Sequence, residues 1–219
     1  MLRKILEALI ASPEAAVSAE WVAEHARVSK SLVKSFLDRL VEEGATIPTS
    51  DGRYVVSGYA KVFLALRAIE LGSDPEKISQ SLGWKEFEKL VAGAFGLFGY
   101  ETRTHVRFKA LGRYWEVDVL ALGNDAVVSV DCKLLKRASP WYVIAKAAKA
   151  HRERTEALAH AETKWVKEAA SKGFVIPVVI PLREPRHLFY EGVYVVPIHK
   201  LRDFILHIPT LRYAELESG

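Results

Sequence analysis

Cysteine occurs once in the 219 residues, at Cys132, and a single thiol excludes an intramolecular disulfide and any multi-cysteine zinc site. Flanked by Asp131 and Lys133, Cys132 reads as a small core residue rather than a catalytic thiol. Asparagine and glutamine are as scarce, one each at Asn124 and Gln80, while Lys, Arg and Glu are abundant. Few thermolabile amides beside many charges is a composition expected of a thermophile. Long apolar runs are missing too. GFVIPVVIPL, from Gly173 to Leu182, is short and broken by prolines, so no membrane span is expected. The opening MLRKILEALIASPEAA lacks the apolar centre and small-residue cleavage site of a signal peptide, which points to a soluble, cytoplasmic protein.

The chain is half hydrophobic, which suits one medium domain plus a small one. Its net charge of +4 and pI near 9.1 are compatible with a polyanionic partner such as nucleic acid.

Leu2, Ile5, Leu6, Leu9 and Ile10 recur at helical spacing, Ser18 caps a second helix, and Ser29 or Ser31 opens a third that Gly44 stops. The second and third are separated by a short turn, as in a helix-turn-helix. ATIPTSDGRYVVSG then reads as a β-hairpin around Ser50-Asp51-Gly52. Three helices and a hairpin resemble a winged-helix domain, over residues 1–57. Lys30, Ser31 and Lys34 lie near the start of the third helix, where a recognition helix meets DNA. A protein-interaction domain would carry the same solvating residues. Residues 58–83 read as a helical connector.

From residue 84 to 219 the pattern is that of a mixed α/β domain. Trp84 to Phe98 has helical periodicity, Tyr100 to Phe108 reads as a strand, and WEVDVLALGNDAVVSVDCK, from Trp115 to Lys133, reads as two strands around Gly123-Asn124-Asp125. Side chains alternate along a strand, so Glu116 and Asp118 share one face of the first and Asp131 and Lys133 one face of the second. Asp118 and Asp131 converging beside Lys133 would make a divalent-metal site; a surface hairpin with ion pairs on its polar face fits the same residues. A helix from Pro140 is basic early on, with Lys146, Lys149, His151, Arg152 and Arg154; Lys136 and Arg137 precede it. These residues either neutralise phosphates or form a solvated face, and His151 also fits a buried or capping position with no catalytic role. Two further strands and an amphipathic helix follow, and the tail LRYAELESG is expected to fray.

The order FEKLV, GY, a strand, EVD and DCK resembles the PD-(D/E)xK nuclease superfamily, notably Mrr-type restriction endonucleases and archaeal Holliday-junction resolvases. The resemblance implies a restriction endonuclease-like α/β fold, a mixed sheet flanked by helices, behind a small winged helix-turn-helix domain. It also implies metal-dependent hydrolysis of DNA phosphodiester bonds. Glu88, Asp118, Asp131 and Lys133 match the catalytic positions. Glu86 rivals Glu88, which is preferred because it follows Phe87 as in the family's FE pair. Val117 stands where the family often has proline. Asp118, Asp131 and the Cys132 carbonyl would hold Mg²⁺, with Mn²⁺ as a substitute; Lys133 would orient the attacking water and Glu88 would serve as an outer ligand. Glu116 would be a further metal ligand or a support for Lys133. Cutting both strands generally takes two active sites, hence a homodimer. A non-catalytic DNA-binding or protein-interaction regulator that keeps the nuclease fold is the alternative.

Overall fold

The computed structural model describes residues 1–56, 58–124, 126–135, 140–171 and 174–216. The chain divides into two compact units, Met1–Leu90 and Val91–Gly219.

In the first unit, α1 (Leu2–Ala11) packs on α2 (Ala19–Ala26) and α4 (Tyr59–Glu70), and α2 packs on α3 (Lys30–Glu42). The apolar stripe read for α1 is its buried face, and Leu6, Val22, Val33, Leu37, Leu40 and Leu64 are fully enclosed, whereas Phe63 of α4 is exposed. Ser18 caps α2 by accepting from the Trp21 amide at 3.1 Å, and Arg27, left-handed at φ 54°, turns the chain toward α3. The hairpin expected after Gly44 is β2 (Ile47–Pro48) with β3 (Tyr54–Val55). A further strand, β1 (Ala16–Val17), pairs with the other edge of β3; two residues are too short for any period to show. Asp74 caps α5 (Pro75–Gln80) through the Glu76 amide. The boundary between the units falls within α6 (Trp84–Leu97).

The second unit is a mixed α/β structure. Its sheet runs β4-β5-β6-β7-β9-β8, from β4 (Glu101–Ala110), β5 (Arg113–Leu122), β6 (Ala126–Lys133), β7 (Phe174–Pro181), β8 (Phe189–Tyr190) and β9 (Val193–Val195). Neighbours from β4 to β6 are antiparallel; β6–β7 and β7–β9 are parallel. Between β6 and β7 the chain crosses through α7 (Trp141–Glu156) and α8 (Lys164–Ser171), and α7 packs on β5, β6, β7 and β9. β6 is buried from Ala126 to Cys132, which is why its valines do not alternate with polar residues.

Two hairpins turn on a left-handed pair, Leu111-Gly112 and Glu191-Gly192, the geometry that matches strand twist. The β5–β6 turn includes Asp125, which lies outside the described residues. At its start, a Cβ on Gly123 would come within 2.7 Å of the Tyr100 ring and 3.0 Å of the Ala126 carbonyl. Gly123→Ala is therefore expected to cost about 1–3 kcal/mol, as overpacking does, read as a lower urea midpoint with an unchanged slope. The last helix, α9 (Leu201–Leu216), continues through Pro209 into the tail expected to fray. No helix among the described residues is long and apolar enough to cross a membrane.

Candidate functional site

The hairpin of β5 and β6 changes character at Asp118. The ladder runs from Leu122↔Val127 to Val119↔Val130. One residue further, the Asp118 side chain takes over and its Oδ2 accepts from the Cys132 amide at 2.8 Å. On the other side of β5, Thr104↔Val119 and Val106↔Val117 bracket His105, which stands opposite Asp118 with φ 53°. Residues three apart on a regular strand face opposite ways, yet Val117 and Leu120 enter one core cluster. The alternation therefore slips beside Asp118, and a carboxylate that strict alternation would aim off the sheet bonds instead to the neighbouring strand.

Asp131 is 3% exposed and sits between two cations. Lys133 Nζ is 2.5 Å from its Oδ2, as a residue two places along the same strand can be, and Arg154 Nη1 on α7 donates to its Oδ1 at 2.8 Å. Burial acts to raise the Asp131 pKa, but the charge of Lys133, with the other positive groups near it, outweighs burial and holds it below the ordinary carboxylate value.

Behind Arg154 lies a buried polar group, and His151 takes the buried place that was one of the readings of the basic run. His151 is fully buried, with Nε2 2.8 Å from the Ser129 carbonyl, and Thr155 Oγ1 donates to Ser129 Oγ at 3.0 Å. Desolvation pushes the His151 pKa down to about 4, so the ring is neutral at pH 7. With its proton on Nε2 toward Ser129, the Nδ1 lone pair faces Arg154 Nη1 at 3.5 Å. Arg154 Nη1 thus lies between Asp131 and His151. Helical spacing puts His151 and Arg154 on one face; only the packing of α7 on β6 shows that the face looks at Asp131.

Asp118, Asp131, Cys132 and Lys133 are brought together. The buried Cys132 donates its amide to Asp118, and its carbonyl lies 3.4 Å from Lys133 Nζ. Glu116 is paired with residues of β4 rather than with Lys133. Its carboxylate accepts from Arg107 Nε at 2.7 Å and lies 3.5 Å from His105 Nδ1, because β4 lies directly alongside and supplies both partners. The Arg107 hydrogen bond is the chief cause of its lowered pKa. Glu88, in the first unit, is 2% exposed and accepts from Trp84 Nε1. Its rival Glu86 accepts from the Gly83 amide at 2.7 Å, the reach-back of a capping glutamate.

Of the basic candidates, Lys30 is paired with Glu20, and Ser31 Oγ lies 3.3 Å from Ser29 Oγ. Ser31 and Lys34 line a shallow depression on α3 with Ser35, Asp38, Arg39 and Glu42. Lys146 is exposed, Lys149 pairs with Glu191 at 3.2 Å, and Lys136 and Arg137 lie outside the described residues.

Among the described residues no group of three or more His, Cys, Asp or Glu side chains is placed to hold a metal ion. The oxygen donors of Asp118, Asp131 and the Cys132 carbonyl are nevertheless of the kind that suits Mg²⁺, which typically takes one or two carboxylates and keeps several waters.

No family model matches the chain. An uncharacterized protein of Archaeoglobus fulgidus is 29% identical over 129 residues, covering 57% of this chain and 91% of that protein. Among solved structures, the protein of unknown function AF1548 aligns over 50% of this chain and 55% of its own, at 19% identity and a TM-score of 0.37. Protein VC1899 from Vibrio cholerae aligns over 96% and 49%, at 13% identity and a TM-score of 0.42. Can2 from Sulfobacillus thermosulfidooxidans, solved in complex with cyclic tetra-adenylate, aligns over 93% and 50%, at 11% identity and a TM-score of 0.37. The chain spans about half the length of these solved proteins.

Proposed function

We propose that the chain is a metal-dependent DNA endonuclease with a restriction endonuclease-like second unit, and that residues 1–57 are a winged helix that places it on DNA. The observation that carries this reading is the cluster of two carboxylates, Asp118 and Asp131, held at adjoining strands with Lys133 against one of them. The proposal rests on these residues of the second unit.

Asp118 and Asp131 would hold Mg²⁺, which polarises the scissile phosphate and lowers the pKa of a bound water. Asp131 enters this role already ionised, since its neighbours keep its pKa low. Lys133, whose side chain is a quarter exposed and whose Nζ is anchored on Asp131, would orient water and offset negative charge on the phosphate oxygens. The amide of Cys132 fixes the Asp118 carboxylate, so the acid is oriented before substrate arrives. Cutting both strands would bring two copies of the chain together.

One observation favours a second reading. Lys133 and Arg154 already balance Asp131, so a protein that kept the fold as a regulatory scaffold would be stable with no metal. A Mn²⁺ titration of the full chain separates the two. Binding by the wild type that Asp118→Asn and Asp131→Asn each weaken at least tenfold is expected of the nuclease; no binding near Asp118 favours the scaffold.

A further inference from the structure

We propose that Arg154 is a phosphate-binding residue of this site, gripping a DNA phosphate beside the cluster while it keeps Asp131 in position. The inference rests on the nuclease reading and adds a substrate contact to it. A guanidinium carries five N–H donors in a rigid fork. Both contacts of Arg154 go through Nη1, whose two hydrogens serve Asp131 Oδ1 at 2.8 Å and His151 Nδ1 at 3.5 Å. Among the described residues Nε and Nη2 have no acceptor, and 24% of the side chain reaches solvent.

Lys133, 23% exposed, borders the same carboxylate. Two cations therefore flank the same buried carboxylate, and each keeps about a quarter of its side chain in solvent. Asp118, Asp131, Lys133 and Arg154 balance one another in charge; a divalent ion on the carboxylates would leave the cluster positive, and a phosphodiester is the complementary ligand. The neutral His151 ring takes part by accepting from Nη1 without adding a charge that would repel the guanidinium. Lysine in place of Arg154 would supply a point charge without the fork.

The test uses the full-length chain carrying Asp131→Asn. This substitution is expected to stop cleavage, so that binding of a labelled DNA duplex is measurable in Mg²⁺, and it removes the carboxylate charge that Arg154 otherwise offsets. On that background Arg154→Gln is expected to weaken binding about tenfold and to reduce the slope of log K against log salt by about one. Arg154→Lys should keep the slope and recover only part of the affinity. Urea midpoints taken alongside identify any loss that comes from misfolding, and the Lys variant carries the test if the Gln variant does not fold. Affinity and slope equal to those of Asp131→Asn would overturn the inference and leave Arg154 serving Asp131 alone. If the wild type cuts DNA and this result is found, only the inference falls; if the wild type neither binds nor cuts DNA, both fall.

Discussion

Asp131→Ala is expected to lower stability by about 3 kcal/mol as well as to abolish DNA cleavage, a combination unusual for a residue whose role is catalytic. The carboxylate is the shared partner of Lys133 Nζ at 2.5 Å and Arg154 Nη1 at 2.8 Å. Without it two like charges face each other across a space from which water is largely excluded. Both cations keep about a quarter of their surface in water, which is why the lower end of the range for breaking a buried ion pair applies. Asn at the same position retains the volume and an acceptor for Arg154, so Asp131→Asn should lose cleavage with roughly half the stability cost. Urea denaturation of the three proteins checks this, and an alanine variant as stable as the wild type would show that the pairs contribute nothing.

Acidification is expected to weaken the fold well before carboxylates titrate, because His151 is buried in the neutral form. Its pKa falls from the ordinary 6.5 to about 4. Above pH 6.5 the ring is neutral in both states and its contribution is complete. As pH falls from 6.5 toward 4 the unfolded chain takes up a proton that the folded chain refuses, so stability is lost through that window, in total about 3 kcal/mol. Asp131, also lowered, contributes stability that is present above the unfolded carboxylate pKa of about 3.9 and is lost below it, so its loss begins where that of His151 ends. Urea midpoints measured across this range should decline in the wild type and decline less in His151→Phe. A flat wild-type profile would mean that His151 is not buried as a neutral ring.

Much of this architecture was legible in the sequence, and the exceptions have physical causes. Helices with strong apolar periodicity, such as Lys30–Glu42 and Trp84–Leu97, were readable because one stripe does the packing. So was the β5–β6 hairpin, whose valines flank Gly123-Asn124. The β4–β5 turn was not, since Leu at its first left-handed position replaces the Asn or Gly that signals such turns. The proximity of Asp118, Asp131 and Lys133 was legible because they lie close in sequence on paired strands. The pairing of Glu116 with Arg107 was not legible, because it depends on β4 lying alongside β5, where the pleat slips beside His105. The partners of Arg154 and His151 were not legible, because Asp131 and Ser129 lie more than twenty residues away on a strand that α7 packs against.

The central claim is that Asp118, Asp131 and Lys133 form a metal-dependent phosphodiesterase centre. Its most direct test is cleavage of a panel of labelled DNAs, comprising duplex, single-stranded and branched forms, by the purified full chain with Mg²⁺, with EDTA, and with Lys133→Ala in place of the wild type. The account predicts that at least one DNA is cut with Mg²⁺, that EDTA stops the cut, and that Lys133→Ala slows it by at least a hundredfold, as loss of a group stabilising developing charge does. Cleavage undiminished by EDTA or by Lys133→Ala, or no cleavage of any DNA, would contradict it.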